Sequence, residues 1–330
     1  PNAATHSFGF AIWRDIDRYK ERDSWPVYNQ SDARFASQLG TVEKIDGIPS
    51  PRRVELAPYV LTKNVSQDPF AGNAREQKFS GGADLKYGLT SNLTLDATVN
   101  PDFGQVESDP SVLNLSAFET FFAEQRPFFV EGTGIYNFQL NCSAVNCNNE
   151  GLFYSRRIGR SPQLLGSYGD ASSPTPTTIL GAAKLSGRVG KVFSVGVLDA
   201  VTEQATGSLG RTIEPATNYG VARIQRDFRG GASNIGMIAT SVDRATDSWT
   251  KDALRRTATV GGLDFSHKFL DNNYQMSGSY TASDVTGTRT AITNTQMNAV
   301  HYYQRPDGNL KVDSSLTSLS GNAEQFSIGK

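Results

Sequence analysis

From Arg52 onward, apolar and polar residues alternate with a period of two. In RRVELAPYVL, Val54, Leu56 and Val60 fall on one face, and Arg53 and Glu55 on the other. The stretch GGADLKYGLTSNLTLDATVN predicts a hairpin: Ala83, Leu85, Tyr87 and Leu89 point one way, Asp84 and Lys86 the other. Beyond a turn at Thr90-Ser91-Asn92, the residues Leu93, Leu95, Ala97 and Val99 alternate with Thr94, Asp96 and Thr98. A period of two means strands with two unlike faces, so the chain reads as all-β and antiparallel.

A slower rhythm lies over the first. Short turns fall at 187–191, 227–234, 268–273 and 305–309, roughly 40 residues apart. Long polar loops separate them: TEQATGSLGRTIEPATN, DRATDSWTKDALRR and DVTGTRTAITNT. Each period then holds two strands of about 10–12 residues, the length a tilted strand needs to cross a bilayer. A propeller blade needs four shorter strands and extra turns that are missing here. A soluble sandwich also alternates, but its strands run to about 5–6 residues and need no one-sided loop asymmetry. Tyr87, Phe228, Phe265, Phe269, Tyr274, Tyr302 and Tyr303 sit beside the short turns, as an interfacial aromatic girdle would. The pattern predicts an antiparallel transmembrane outer-membrane β-barrel, with about 12 strands between Arg52 and Lys330, not closing within this chain. With the short turns in the periplasm, 78–88 runs inward and 52–62 outward. Residues 15–51 then lie in the periplasm. HSFGFAIWRDI (6–16) fits as the last strand of a separate periplasmic module, joined through the polar RYKERDSWPVYNQSD. The expected domains are 1–51, the tail of that module plus a linker, and 52–330, the barrel.

Composition narrows the partners. A formal charge of −1 over 330 residues, without a dense Lys/Arg block, gives no electrostatic case for nucleic acid. The chain starts without an initiator Met or secretory signal, as a processed chain would, and holds no apolar run of about 18 residues. Its two cysteines, Cys142 and Cys147, sit in a polar loop with poor zinc spacing. They predict a disulfide formed in an oxidising compartment, with free thiols as the alternative.

One segment breaks the rhythm. NPDFGQVESDPSVLNLSAFETFFAEQRPFFVEG (100–132) carries an acidic turn, a helix start and an aromatic cluster. Asp109-Pro110 reads as an N-cap followed by proline at the first helical position. Val112, Leu115, Phe118, Phe121 and Phe122 then recur at helical spacing, up to Arg126-Pro127. The insert 101–176 is too long for an idle loop. Its Phe-rich face requires burial, which an inward fold against the barrel wall supplies. It reads either as a plug or constriction, with Phe118, Phe121, Phe122 and Arg126 in that role, or as a cap that stiffens the barrel.

The run GADLKYGLTSNLTLDATVNPDFGQVESDPSVLNLSAFETFFAEQRPFFVEGTGIY, unbroken from Gly82 to Tyr136, resembles a family of large bacterial outer-membrane proteins. Weaker likeness extends to FGFAIWRDIDRYKERDSWP, RRVELAPYVL and LFYSRRIGR. Members carry a family-nine-like carbohydrate-binding sandwich ahead of a C-terminal barrel, a domain of unknown function. The resemblance implies that residues 1–16 are the tail of such a sandwich, and implies no reaction.

Candidate chemistry is sparse. Asp102, Glu107 and Asp109 offer three oxygen ligands for calcium; a turn and a helix cap account for the same residues. Asp102, Glu107, Glu119, Glu124 and Glu131 offer the paired carboxylates of a glycosidase, although acidic side chains are routine inside an aqueous barrel. Arg156, Arg157 and Arg160 could line an anion path or pair with the insert's carboxylates. The expected function is non-enzymatic: an outer-membrane barrel, in contact with lipid, that binds or admits a glycan or its fragments. A glycan-cleaving hydrolase and a structural barrel anchoring protein partners in a surface complex are the alternatives.

Overall fold

In a computed structural model the described residues are 5–27, 38–47, 54–65, 76–101, 121–138, 151–298, 303 and 309–330. The chain divides into two compact units, Pro1–Arg52 and Arg53–Lys330.

Among the described residues the first unit has four short strands: Thr5–Phe10 (β1), Ile12–Ile16 (β2), Glu21–Trp25 (β3) and Gly40–Asp46 (β4). β1 pairs with β4, and β2 with β3, all antiparallel. The stretch 6–16, expected as one strand, is therefore two strands in two sheets, broken at Ala11. The expected linker also contains β3, a strand held to β2 by a two-pronged Arg22–Asp15 contact at 2.5 and 3.1 Å.

The second unit is one ten-stranded antiparallel sheet. Its strands are Val54–Val65 (β5), Glu76–Gly88 (β6), Leu93–Val99 (β7), Ile179–Val189 (β8) and Phe193–Thr202 (β9), followed, after a small hairpin of Ala205–Thr206 (β10) and Thr212–Glu214 (β11), by Thr217–Phe228 (β12), Ser233–Arg244 (β13), Thr257–Phe269 (β14), Tyr274–Thr286 (β15) and Ser318–Gly329 (β16). Neighbours in sequence are neighbours in the sheet, and among the described residues β5 and β16 pair on one side only. Apart from β7 the strands run 10–13 residues.

Connections alternate in length. Tight turns join β8 to β9, β12 to β13 and β14 to β15, and the second uses Gly230 and Gly231 at φ 65° and 92°, where a side chain would be strained. At the other end the links are long, and the 31 residues from 287 to 317 overturn one expectation. The segment 305–309, expected as a fourth short turn between paired strands, falls within this link, because β15 ends at Thr286 directly opposite Ser318 of β16. Between them lies a helix, Arg289–Met297, capped by the Thr288 hydroxyl. Tyr303 belongs to this long link and not to the girdle; Tyr302 and most of the 305–309 stretch lie outside the described residues. Among the described residues the sheet thus has ten strands where the sequence predicts about 12.

The two faces of the sheet differ sharply. On β9, Gly196, Leu198, Ala200 and Thr202 are buried while Val197 and Val201 are exposed. The exposed face carries Val60, Ile235, Met237 and Leu263, the last three more than half exposed. The buried face carries Lys184, Arg223, Asp96 and Thr98. Such a sheet has its polarity inverted relative to a soluble protein. Beside the tight turns the exposed face is aromatic. Phe269 stacks on Tyr274 at 5.7 Å, Phe265 meets Phe326, and Arg226 lies over Phe193 and Phe228. Among the described residues no helix is long and apolar enough to cross a membrane, which says nothing of crossing by strands.

Candidate functional site

The link from β7 to β8 supplies what covers the polar face. Two described stretches of it, 121–138 and 151–178, are tied together by one arginine. The Arg126 guanidinium grips the Glu124 carboxylate at 2.9 and 2.7 Å, and donates to the carbonyls of Ile158 at 2.7 Å and Ser155 at 2.9 Å. The Ser155 hydroxyl donates to the same carboxylate at 2.5 Å. Burial alone would raise the Glu124 pKa, but Arg126 and Ser155 outweigh it and hold the group below its ordinary range. Arg156 Nε donates to the Ala123 carbonyl at 2.8 Å, and Tyr154 Oη exchanges hydrogen bonds with the Phe122 backbone.

So clipped, the insert presses an apolar wedge onto the sheet. Phe129, Tyr136, Phe138 and Ile158 pack against Ala182, Leu198, Ala200, Val221 and Ile238. Each fully buried side chain of this size contributes about 1.5–3 kcal/mol. The sheet makes room with glycine: a Cβ on Gly196 would lie 2.9 Å from the Tyr136 ring, and one on Gly262 2.8 Å from Phe138.

The polar residues of that face hold the wedge or each other. Lys184, 1% exposed, donates to the carbonyls of Phe128 and Glu131, both at 2.6 Å, and so caps a short helix, Pro127–Val130. Its Nζ lies 3.6 Å from Asp96, directly opposite it on β7. Lys86, opposite Asp96 on the other side, pairs with Glu131. Tyr136 Oη, Asp96 Oδ2 and Thr98 Oγ1 are buried without a hydrogen-bond partner among the described residues. Burial, with the Asp96 carboxylate adding to it, pushes the Tyr136 phenol well above its usual range.

Further across the sheet, Arg223 of β12 reaches over β13 to grip Asp264 of β14 at 2.5 and 2.8 Å. Gly236 lies beneath this bridge, and a Cβ there would come within 2.8 Å of both partners. The Phe138 ring sits 5.4 Å from the Arg223 guanidinium carbon. Arg223, Asp264 and Phe138 form one wall of a polar cavity of about 470 Å³ between the insert and the tight-turn half of the face.

The predicted site residues fare unevenly. Phe118, Asp102, Glu107, Asp109, Glu119, Cys142 and Cys147 lie outside the described residues, and so do the calcium site and the disulfide built on them. Phe121 and Phe122 are half-buried and lie outside any helix. Phe121 meets Tyr154 at 5.0 Å instead of the sheet. Pro127, expected to follow a helix, starts one. Arg126 and Arg156 are internal ties; Arg157 is exposed. Arg160 belongs to a basic cluster at the long-loop end, near Arg244, Arg255 and Tyr219. The nearby Glu214 carboxylate is taken up by the Gln163 backbone and amide at 2.7 and 2.9 Å. Among the described residues no group of three or more His, Cys, Asp or Glu could hold a metal. Lys184, Arg223 and Asp264 escaped sequence reasoning, although each stands out as a charge within an alternating strand.

No curated protein and no solved structure matches the chain. A family model does match, over residues 50–325, and it covers the sheet and its insert as far as the middle of the last strand. The chain therefore belongs to the family described as "Domain of unknown function (DUF5916)".

Proposed function

We propose that residues 52–330 form part of an outer-membrane β-barrel that binds or admits an extracellular substrate, a glycan or its fragments, with the insert 101–176 as the constriction. The observation that carries this reading is the inverted polarity of the sheet: Val60, Ile235, Met237 and Leu263 bare on one face, and Lys184, Arg223 and Asp96 buried on the other. Exposing so many apolar side chains to water would be costly, at about 25 cal/mol per Å². Facing lipid they cost nothing, and a polar lumen lets the charged residues meet the insert and water. Strands of 10–13 residues and the aromatic rim beside the tight turns support the same placement.

In this reading the tight turns face the periplasm, and the first unit lies there as the tail of a carbohydrate-binding-like module. The insert enters from the outer side and blocks the lumen. Two of the carboxylates that a hydrolase reading would draw on are already engaged. Glu124 is held in the Arg126 clip and Glu131 pairs with Lys86, so neither is free to serve as acid or nucleophile. Reconstitution into lipid vesicles tests the proposal: the chain should insert, and loosening the insert should admit small neutral solutes. A chain that stays in the aqueous phase after refolding with lipid would sink it.

A further inference from the structure

We infer that the 470 Å³ cavity beneath the insert is a binding site for an uncharged, polyhydroxylated solute about the size of a disaccharide. The inference deepens the barrel reading, on which it rests for the route by which a solute arrives.

The lining decides the class. Gln225, Asn234, Gln275 and Gln325 project from four strands, and Asn137 faces them from the insert. Each such amide offers two donors and an acceptor. Among the described residues the side chains of Asn137, Gln225, Asn234 and Gln325 make no hydrogen bond within the protein, while Gln275 donates to Ser266 at 3.2 Å. Ser277 and Ser327 face each other at 2.7 Å, adding hydroxyls that can turn outward to a ligand. A wall so rich in mixed donors and acceptors suits hydroxyl groups, which are both at once.

Charge argues in the same direction. The cavity's cation and anion are Arg223 and Asp264, and their charges meet in a two-pronged bridge that leaves Arg223 Nε buried without a hydrogen-bond partner among the described residues. An ionic ligand would have to break that bridge, leaving a buried charge unpaired. A wholly apolar ligand would strand the amides. Phe138 contributes an aromatic surface against which the C–H groups of a sugar ring can pack. A volume of about 470 Å³ also falls within the range of about 300–1,000 Å³ usual for small-molecule sites.

The experiment uses the full chain in micelles of an amine-oxide detergent, since a sugar-headed detergent would itself compete. Maltose, cellobiose and lactose are titrated by calorimetry and by saturation-transfer NMR, with digalacturonate as the anionic control and hexanediol as the less hydroxylated one. At least one neutral disaccharide should bind, and both controls should bind more weakly. Gln225→Leu combined with Gln275→Leu should weaken binding by about tenfold or more, the loss of one or two hydrogen bonds. Ser279→Phe, which fills the cavity, should abolish it, with unchanged circular dichroism reporting an intact sheet. Undiminished binding in the folded Ser279→Phe variant would overturn the inference, as would preference for digalacturonate or no binding of any neutral disaccharide. Vesicle insertion, measured separately, distinguishes the two proposals: binding without insertion refutes the barrel alone, and insertion without binding refutes the cavity site alone.

Discussion

Replacing Lys184 by Met tests whether the insert is held by the sheet's polar face or only by its apolar wedge. The side chain is 1% exposed, and its ammonium donates to the carbonyls of Phe128 and Glu131 at 2.6 Å each. Methionine keeps most of the volume and removes both bonds. It also leaves Asp96, 3.6 Å away, as a buried carboxylate without its counter-charge. A hydrogen bond from a charged donor contributes about 1.5–3 kcal/mol, and breaking one side of a buried pair costs about 3–5 kcal/mol. These overlap rather than add, so docking of the insert should weaken by about 3–5 kcal/mol, a factor of roughly 150–5,000 in its docking equilibrium. Limited proteolysis in micelles reads this directly, as faster cleavage within 121–138 while the strands stay protected. In planar bilayers the variant should conduct more than the parent. Adding Asp96→Asn to Lys184→Met should recover part of the loss, because the stranded carboxylate is then gone. Parental cleavage rates and conductance in a folded Lys184→Met chain would refute the reasoning.

Other perturbations probe the remaining contacts. Gly236→Val places a side chain where the Arg223–Asp264 bridge passes, so the bridge should part and thermal stability fall by about 1–3 kcal/mol; Gly261→Val, with nothing within 4 Å of its Cβ, is the matched control. Phe129→Ala, which removes a ring 2% exposed in the wedge, should undock the insert at a cost of about 3–5 kcal/mol, seen as proteolysis of 121–138 without loss of strand circular dichroism. The Glu124 pKa is depressed in the folded state, so its contribution is present above the ordinary glutamate range and lost as pH falls through the depressed value. Acid should therefore loosen the insert of the parent, and Glu124→Gln should be looser at neutral pH and flat across that acid window. On intact cells a cysteine at Leu209, 89% exposed in a long link, should react with an impermeant maleimide, and one at Asn272 in a tight turn should not; the reverse pattern would invert the topology.

What could be read in advance follows from which forces are local. Period-two alternation is a property of single strands, so β6, β7 and the tight turns at 187–191 and 268–273 emerge within a residue or two from sequence. That alternation does not say which face is polar because it is covered, since Lys184 and Arg223 look like any charged residue of a strand turned to water. Their partners, Phe128, Glu131 and Asp264, lie more than 40 residues away along the chain, and nothing at Lys184 or Arg223 points to them. The anchor of the insert was misplaced for a related reason. Helical spacing singled out Phe118, Phe121 and Phe122, but Arg126 pulls Glu124 back into a local clip, and the helical turns that follow, Pro127–Val130 and Thr133–Tyr136, deliver Phe129, Tyr136 and then Phe138 to the sheet instead. The strand pair expected around 305–309 could not be judged locally, because Arg-Pro-Asp-Gly-Asn favours a turn at either end of a strand, and only the pairing of Thr286 with Ser318 puts it within the long link. A signal was nevertheless present in the glycines. Gly196, Gly236 and Gly262 occupy strand interiors, where glycine weakens a sheet unless something must approach closely. Each lies under an insert ring or an ion pair. Gly196 and Gly262 therefore mark where the covering segment touches the sheet, and Gly236 marks where the sheet's own ion pair crosses it.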